Sequence, residues 1–326
     1  KWVDATLYRE FNIVMPANSN PYIQQAVETF KKYWEKCAQK EISVSTVNEG
    51  KVNVWIGSDA CSLEFMENID RPELGTEGFL IFTYTPSRKY AEKGVGKHLV
   101  VCADDDIGAV HGVYSFFENV CGARWYAEDC VITPAFRISI PPQNFYYVPP
   151  FDIRLIYSNL PRFRLDYEMK QALHLRFDIS ETKWVDLSKI IERDSVICLS
   201  DSDTVAEVKN RIKNLISNDK QRELWIFRLT QDKKCECERC KQTLKETGSL
   251  ITPYVNLFNE FLEDKENTSI LEGKLIALSL SNEWCKPPTN IDVSNKLYIE
   301  LDTESCNLAR AMSDVNCKEN VEFARY

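Results

Sequence analysis

Asp105-Asp106-Ile107-Gly108-Ala109-Val110-His111-Gly112-Val113-Tyr114-Ser115-Phe116-Phe117-Glu118 reads as one helix, and the fold of the first half of the chain is built around it. Asp104-Asp105-Asp106 supplies capping oxygens and negative charge, both of which favour a helix N-terminus. Val110, Val113, Phe116, Phe117 and Val120 recur at helical spacing, and Cys121-Gly122 ends the run. Upstream, Asn20-Pro21 opens a second helix, with Asn as cap and Pro in the first turn. Its apolar face is Ile23, Val27, Phe30, Trp34 and Cys37, through about Gln39.

Residues 42–47, 52–56, 79–85 and 99–102 predict strands, several of them alternating, and residues 136–140 read as a closing strand. Helices on a mixed sheet give an α+β, sandwich-like domain over residues 1–145. Pro141-Pro142 and Pro149-Pro150 bracket an aromatic linker. Over residues 146–326 the rhythm becomes strand–helix–strand. Residues 152–157, 173–179, 195–199, 224–229, 275–280 and 297–301 predict strands. Residues 162–172, those after Ser200-Asp201-Ser202-Asp203, and 253–262 behind Thr252 predict helices, with Val205, Val208, Ile212 and Leu215 on one face of the second. This alternation implies an α/β unit with parallel strands, read as a partial or reduced (β/α) TIM-type barrel.

Composition narrows the function. With 44% hydrophobic and 27% charged residues, the 326-residue chain can bury a core and keep a polar surface. A net charge of −9 argues against nucleic acid. No apolar run reaches the roughly 18–20 residues of a membrane helix, so no membrane insertion is expected. The 7 Trp and 14 Tyr permit stacking on sugars and equally serve an aromatic core. The chain begins Lys1-Trp2-Val3-Asp4, without initiator Met or leader, and reads as trimmed. Its 12 cysteines fit a secreted, periplasmic or cell-surface origin.

The Gly108-x-x-x-Gly112-Val113-Tyr114 helix followed by Cys121-Gly122-Ala123-Arg124-Trp125-Tyr126 resembles the non-catalytic N-terminal domain that precedes the barrel in glycoside hydrolase family 20 and the α-glucuronidases. Ile13-Val14-Met15-Pro16 and Val54-Trp55-Ile56-Gly57-Ser58 look like the same domain. The second half is similar to the domain-of-unknown-function family 4838, part of which forms glycoside hydrolase family 163. The matching pieces are Cys198-Leu199-Ser200-Asp201, the strand into Gln231-Asp232, Cys235-x-Cys237-x-x-Cys240, Pro287-Pro288 and the strand into Asp302. Departures are clear too. The long segment of that family is reduced to residues 180–194, and its Ser-Gln-Asn-Asp motif stands here as Leu229-Thr230-Gln231-Asp232. Too few strands are present for eight βα units.

Ligands of parallel α/β folds meet the carboxyl ends of the strands, and there the sequence places Asp232, Glu283, and Asp302 with Glu304. Glycoside cleavage needs an acid to protonate the leaving oxygen and a group to stabilise an oxocarbenium-like transition state. Glu283, beside Trp284, is expected to be the general acid, and Asp232 the carboxylate that stays ionised or orients an acetamido group. Acids at strand ends also cap helices or face water. Gln231, Trp284 and Asp302 are placed to contact substrate; Trp284 could equally be a buried aromatic.

Cys235, Cys237 and Cys240 suit zinc if a fourth ligand such as Cys198 or Cys306 joins them, and equally suit one disulfide with a free thiol or a disulfide to a distant cysteine. No other cofactor is implied. His98, His111 and His174 lack metal-ligand spacing and read as structural. No Ser-His-Asp order, P-loop or dinucleotide fingerprint is present. The resemblance implies a β-N-acetylglucosaminidase-like glycoside hydrolase acting on N-acetylhexosamine-containing glycans, with acid catalysis and substrate assistance. The alternatives are a catalytically inactive carbohydrate-binding protein and an interaction module organised around the cysteines.

Overall fold

A computed structural model describes residues 11–301, apart from 16–18, 47–51, 63–71, 93–95, 135–140, 158–164, 192–195, 230–233, 281–283 and 285. The chain divides into two compact units, Lys1–Asp178 and Ile179–Tyr326. The expected closing strand at 136–140 and the motif residue Pro16 lie outside the described residues.

In the first unit the strands are β1 (Phe11–Val14), β2 (Ser43–Ser45), β3 (Val52–Ile56), β4 (Phe79–Tyr84), β5 (Lys97–Ala103), β6 (Arg124–Ala127), β7 (Cys130–Ile132) and β8 (Asn144–Tyr147). The helices are α1 (Pro21–Ala38), α2 (Arg88–Glu92), α3 (Asp106–Cys121) and α4 (Tyr167–Ala172). Six strands form one sheet in the order β2-β1-β3-β5-β4-β8, and β6 and β7 make a separate hairpin. β1, β2, β3 and β5 run parallel, while β4 is antiparallel to β5 and β8. Apolar side chains cover both faces: the cluster around α1 and α3 on one, and Leu74, Leu80, Val100 and Cys102 in a smaller cluster on the other. Hence β5 reads as a nearly continuous apolar run instead of an alternating one.

Both helix starts follow their sequence signals. The Asn20 side chain accepts from the amides of Tyr22 and Ile23, and Asp105 Oδ1 accepts from Gly108 N at 2.7 Å. Asp105 Oδ2 also accepts from Glu77 N at 2.6 Å, so one carboxylate caps α3 and ties it to the turn before β4. At the other end of α3, Gly122 adopts φ 75°, the left-handed conformation that ends a helix with least strain in glycine.

The glycine pair inside α3 has a steric reason. A Cβ at Gly108 would stand 2.3 Å from the Gly78 carbonyl oxygen, and one at Gly112 would stand 2.7 Å from Val101 Cγ1. Only hydrogen at both sites lets α3 lie against β4 and β5. The helix is therefore buried on nearly every side from Gly108 to Phe117, well beyond the stripe its periodicity predicts. Phe30 of α1 is fully buried against Phe116 and Phe117, with ring centroids 5.4 and 5.0 Å away. Trp125 Nε1 donates to Tyr33 Oη, which donates to Glu168 of α4 at 2.6 Å, so the polar atoms of these two rings are satisfied.

The segment after the proline-bracketed linker differs most from expectation. The linker itself contains β8, whose Phe145 and Tyr147 turn inward against Phe79. Residues 152–157 and 173–179 form no strands. They touch through Arg176 N and Phe177 N, which both donate to Arg154 O, and His174 breaks any extension with φ 52°. The Arg154 guanidinium bonds the His174 carbonyl and pairs with Glu77, which also faces Arg176 at 3.5 Å. Glu77 is 2% exposed, and its burial pushes the carboxyl upward against the pull of both arginines. This buried ion group and α4, whose Met169 joins the core, bind residues 151–178 into the first unit.

The second unit contains β9 (Thr182–Asp186), α5 (Ser202–Asn218), β10 (Leu224–Arg228), α6 (Glu238–Thr247), α7 (Thr252–Glu263), α8 (Thr268–Leu271), β11 (Leu275–Leu280) and β12 (Leu297–Leu301). Its four strands are all parallel, in the order β12-β11-β10-β9. Chain-sequential parallel order agrees with the strand–helix reading, but the described residues form an open sheet and no closed barrel. Trp225, Phe227, Phe258 and Phe261 are fully buried in its core. α5 begins at Asp201, whose Oδ2 accepts from Thr204 N, and it buries Val208, Ile212 and Ile216; Leu215, expected on that face, is 37% exposed. The expected strand at 195–199 is absent over its described part, 196–199, which is irregular chain leading into α5.

Candidate functional site

Two features of the second unit carry chemistry: the carboxyl edge of its parallel sheet and a group of four cysteines. Register puts Asp186, Arg228 and Ser279 side by side, with Ser279 opposite Glu300, so the carboxyl ends of β9 to β12 share one edge. The chain continues from that edge into Gln231 and Asp232 after β10, Glu283 after β11, and Asp302 with Glu304 after β12. These five residues lie outside the described residues.

Trp284, immediately after Glu283, is described. It is 7% exposed and lies edge-on to Tyr254, with ring centroids 5.8 Å apart. β9 itself was not foreseen, and with it Asp186, an acid at the same edge. Asp186 Oδ1 accepts from Ser188 N at 3.0 Å, and Lys189 Nζ lies 3.3 Å from Oδ2, so this acid caps the turn that follows.

The sulfurs of Cys198, Cys235, Cys237 and Cys240 all lie within 4.8 Å of one another. Cys198 comes from the irregular segment before α5, Cys235 and Cys237 from the turn that enters α6, and Cys240 from the first turn of that helix. Cys198 Sγ stands 3.7 Å from Cys237 Sγ and 3.9 Å from Cys240 Sγ. Cys237 is the N-cap of α6, and its sulfur accepts from Cys240 N at 3.4 Å. That amide hydrogen bond at the start of a helix pulls the Cys237 thiol down to about 7. Withdrawal from water pushes Cys198 and Cys240 the other way. Ser200 Oγ lies 3.0 Å from Cys240 Sγ and supplies a further polar neighbour.

Such a donor set can take a soft tetrahedral ion, or it can be oxidised in pairs. Of the two fourth ligands considered from sequence, Cys198 is at the cluster, and Cys306 lies outside the described residues. α6 escaped the sequence reading because it buries only Thr247 and so lacks an apolar stripe. Beside the cluster is a cavity of about 180 Å³ whose walls include Leu199, Cys235, Cys240, Leu244, Tyr254 and Trp284.

The three histidines are elsewhere. His98 and His111 are buried in the first unit; His174, half-buried, is 2.7 Å from Ser115 Oγ. Among the described residues no histidine belongs to a metal-ligating group.

No protein-family model and no curated protein matches the sequence. Solved structures that resemble the chain are glycoside hydrolases at low identity. One is a family GH115 4-O-methyl-α-glucuronidase with specificity for decorated arabinogalactans: TM-score 0.46, 14% identity, covering 89% of this chain and 48% of that one. Another is the Streptomyces plicatus N-acetyl-β-hexosaminidase: TM-score 0.29, 8% identity, covering 84% and 42%. A third is a GH138 enzyme targeting pectin rhamnogalacturonan II: TM-score 0.28, 14% identity, covering 84% and 31%. The chain thus spans less than half the length of each of these proteins. No helix among the described residues is long and apolar enough to cross a membrane.

Proposed function

We propose that the chain is a glycoside hydrolase of the N-acetylhexosaminidase kind, working at the carboxyl edge of the second sheet. The observation that carries this reading is the parallel adjacency of β10, β11 and β12, since each is followed within a few residues by an acid: Asp232, Glu283 and Asp302. Neighbouring parallel strands deliver their following loops to one edge, where two carboxyl groups can flank a glycosidic bond. Glu283 acts as the general acid. Asp232 stays ionised and orients an acetamido group or faces the developing cation. Gln231 and Asp302 hold substrate polar groups, and buried Trp284 fixes the chain directly after Glu283. The sequence resemblance of the Gly108–Tyr126 region to the domain that precedes hexosaminidase barrels supports the same reading.

Asp232→Asn and Glu283→Gln keep shape and remove charge. Each should lower turnover of chitobiosyl and N-glycan substrates by roughly 10²–10⁴-fold, with folding unchanged. Wild-type turnover in either variant removes that residue from the mechanism. Saturable glycan binding by the unaltered chain without any turnover selects the carbohydrate-binding alternative.

A further inference from the structure

We infer that Cys198, Cys235, Cys237 and Cys240 form a closed tetrathiolate zinc centre that pins the entry to α5 against the turn between β10 and α6. This inference is independent of whether the acids at the sheet edge cleave a glycan.

Geometry is the first support. Zinc–thiolate bonds of about 2.3 Å in a tetrahedron place the sulfurs roughly 3.8 Å apart. Cys198 Sγ lies 3.7 Å from Cys237 Sγ and 3.9 Å from Cys240 Sγ, and all four sulfurs fall within 4.8 Å. Four thiols on two separate segments converge on one point, whereas a disulfide would require only two.

Local chemistry is the second support. The Cys240 amide donates to Cys237 Sγ across the Cys-x-x-Cys step, and Ser200 Oγ reaches Cys240 Sγ. Hydrogen bonds of this kind hold ligating sulfurs in place and spread their charge. Four thiolates on a divalent ion leave a net double negative charge. Cys237 and Cys240 sit at the positive end of α6, and Lys234 and Lys241 line the adjoining cavity. Four sulfur ligands leave no open coordination position, so the centre is structural.

Its position gives it a task. The turn it clamps begins at Lys234, directly after the residues that carry Gln231 and Asp232, and it has little apolar packing of its own. α6 buries one residue, and Cys237 is exposed. A bound ion would therefore supply the rigidity that hydrophobic burial does not provide at this corner.

The test uses the full chain, produced with zinc in the medium and purified without chelator. Metal analysis should find one zinc per chain. Zinc should fall at least tenfold in Cys198→Ser, and stay at wild-type level in Cys306→Ser and in Cys130→Ser, which changes an exposed cysteine of the first unit. Exchange into cobalt covers the case in which Cys198→Ser fails to fold. The unaltered chain should show intense thiolate-to-cobalt charge transfer and tetrahedral visible bands, and Cys198→His should shift those bands while keeping the metal. Full zinc in Cys198→Ser, a cobalt spectrum without thiolate charge transfer, or a disulfide between any two of the four in non-reducing peptide mapping would overturn the inference.

Discussion

The two units reach stability by different routes. The first covers both faces of its sheet, seats α3 through two glycines, and buries aromatic rings, histidines and an ion group around that sheet. The second has a dense apolar centre around Trp225, Phe227 and Phe258, while its corners are polar turns, one of them gathered by sulfur. Burial scales with how much chain can be wrapped around a sheet, so the half with less covering depends more on specific polar bonds at its edges. The contrast teaches where chemistry can be placed: the acids that follow β5 in the packed half, Asp104 and Asp105, are taken up by backbone amides of α3 and of the segment before β4, whereas the acids proposed to act on substrate all follow strands of the other half.

The largest effect should come from emptying each core in turn. Phe30→Ala and Phe258→Ala remove fully buried rings and should each cost about 3–5 kcal/mol. Hydrogen exchange read along the chain should show the loss confined to the unit that carries the change. Equal loss of protection in both units from either variant would break the comparison.

Acid sharpens it next. All three histidines belong to the first unit. Burial depresses His98 to about 4 and His111 to about 3, below the ordinary 6.5. Unfolding frees them to protonate, so their contribution is complete above pH 6.5 and is lost as pH falls towards the folded values. Between pH 6.5 and 5 the first unit should lose about 2 kcal/mol for each of these two histidines. The second unit has no histidine, and protection of β10 should stay nearly level over that range. Parallel pH slopes for α3 and β10 amides would refute the assignment.

A smaller effect belongs to the caps. Asn20→Ala removes the oxygen that receives two amides of α1 and should cost about 1 kcal/mol, seen as fraying of the first turn in exchange rates. Unchanged protection at Tyr22 and Ile23 would show that the packing of α1 alone holds its start.

Much of the first unit was legible because its signals are local. Asn20-Pro21, Asp105 and Gly122 mark helix ends by chemistry that needs no tertiary partner, and the stripe from Ile23 to Cys37 faces one core. In the second unit β10 and β11 were legible as apolar runs, because these parallel strands are buried on both faces, and β12 was legible from Leu297-Tyr298-Ile299. β9 was not, since Thr182-Lys183-Trp184-Val185-Asp186 is short and mixes buried with exposed positions. Residues 152–157 look like a strand, but nothing pairs with them in a ladder; Arg154 holds them to Glu77 through an ion pair that spacing cannot reveal. At the candidate site the cysteine triplet was visible as a motif. That Cys198 meets it depends on how α5 and α6 begin, which is a property of the folded chain.

The chain-sequential order of the second sheet has a kinetic consequence. Leu224 faces Thr182 on one side and Leu275 on the other, so no strand of this sheet can pair with its neighbour through a hairpin. Each pairing must first close a long loop, and that entropy is lost before hydrogen bonds form. During synthesis the sheet can grow in one direction only, with β10 docking on β9, then β11 on β10, then β12 on β11. At every stage the newest strand presents an unpaired, apolar edge to the surroundings, which in β11 includes Ile276, Ala277 and Leu278. Slow production, or a chaperone that shields such edges, should therefore raise the yield of correctly folded chain more through the second unit than through the first.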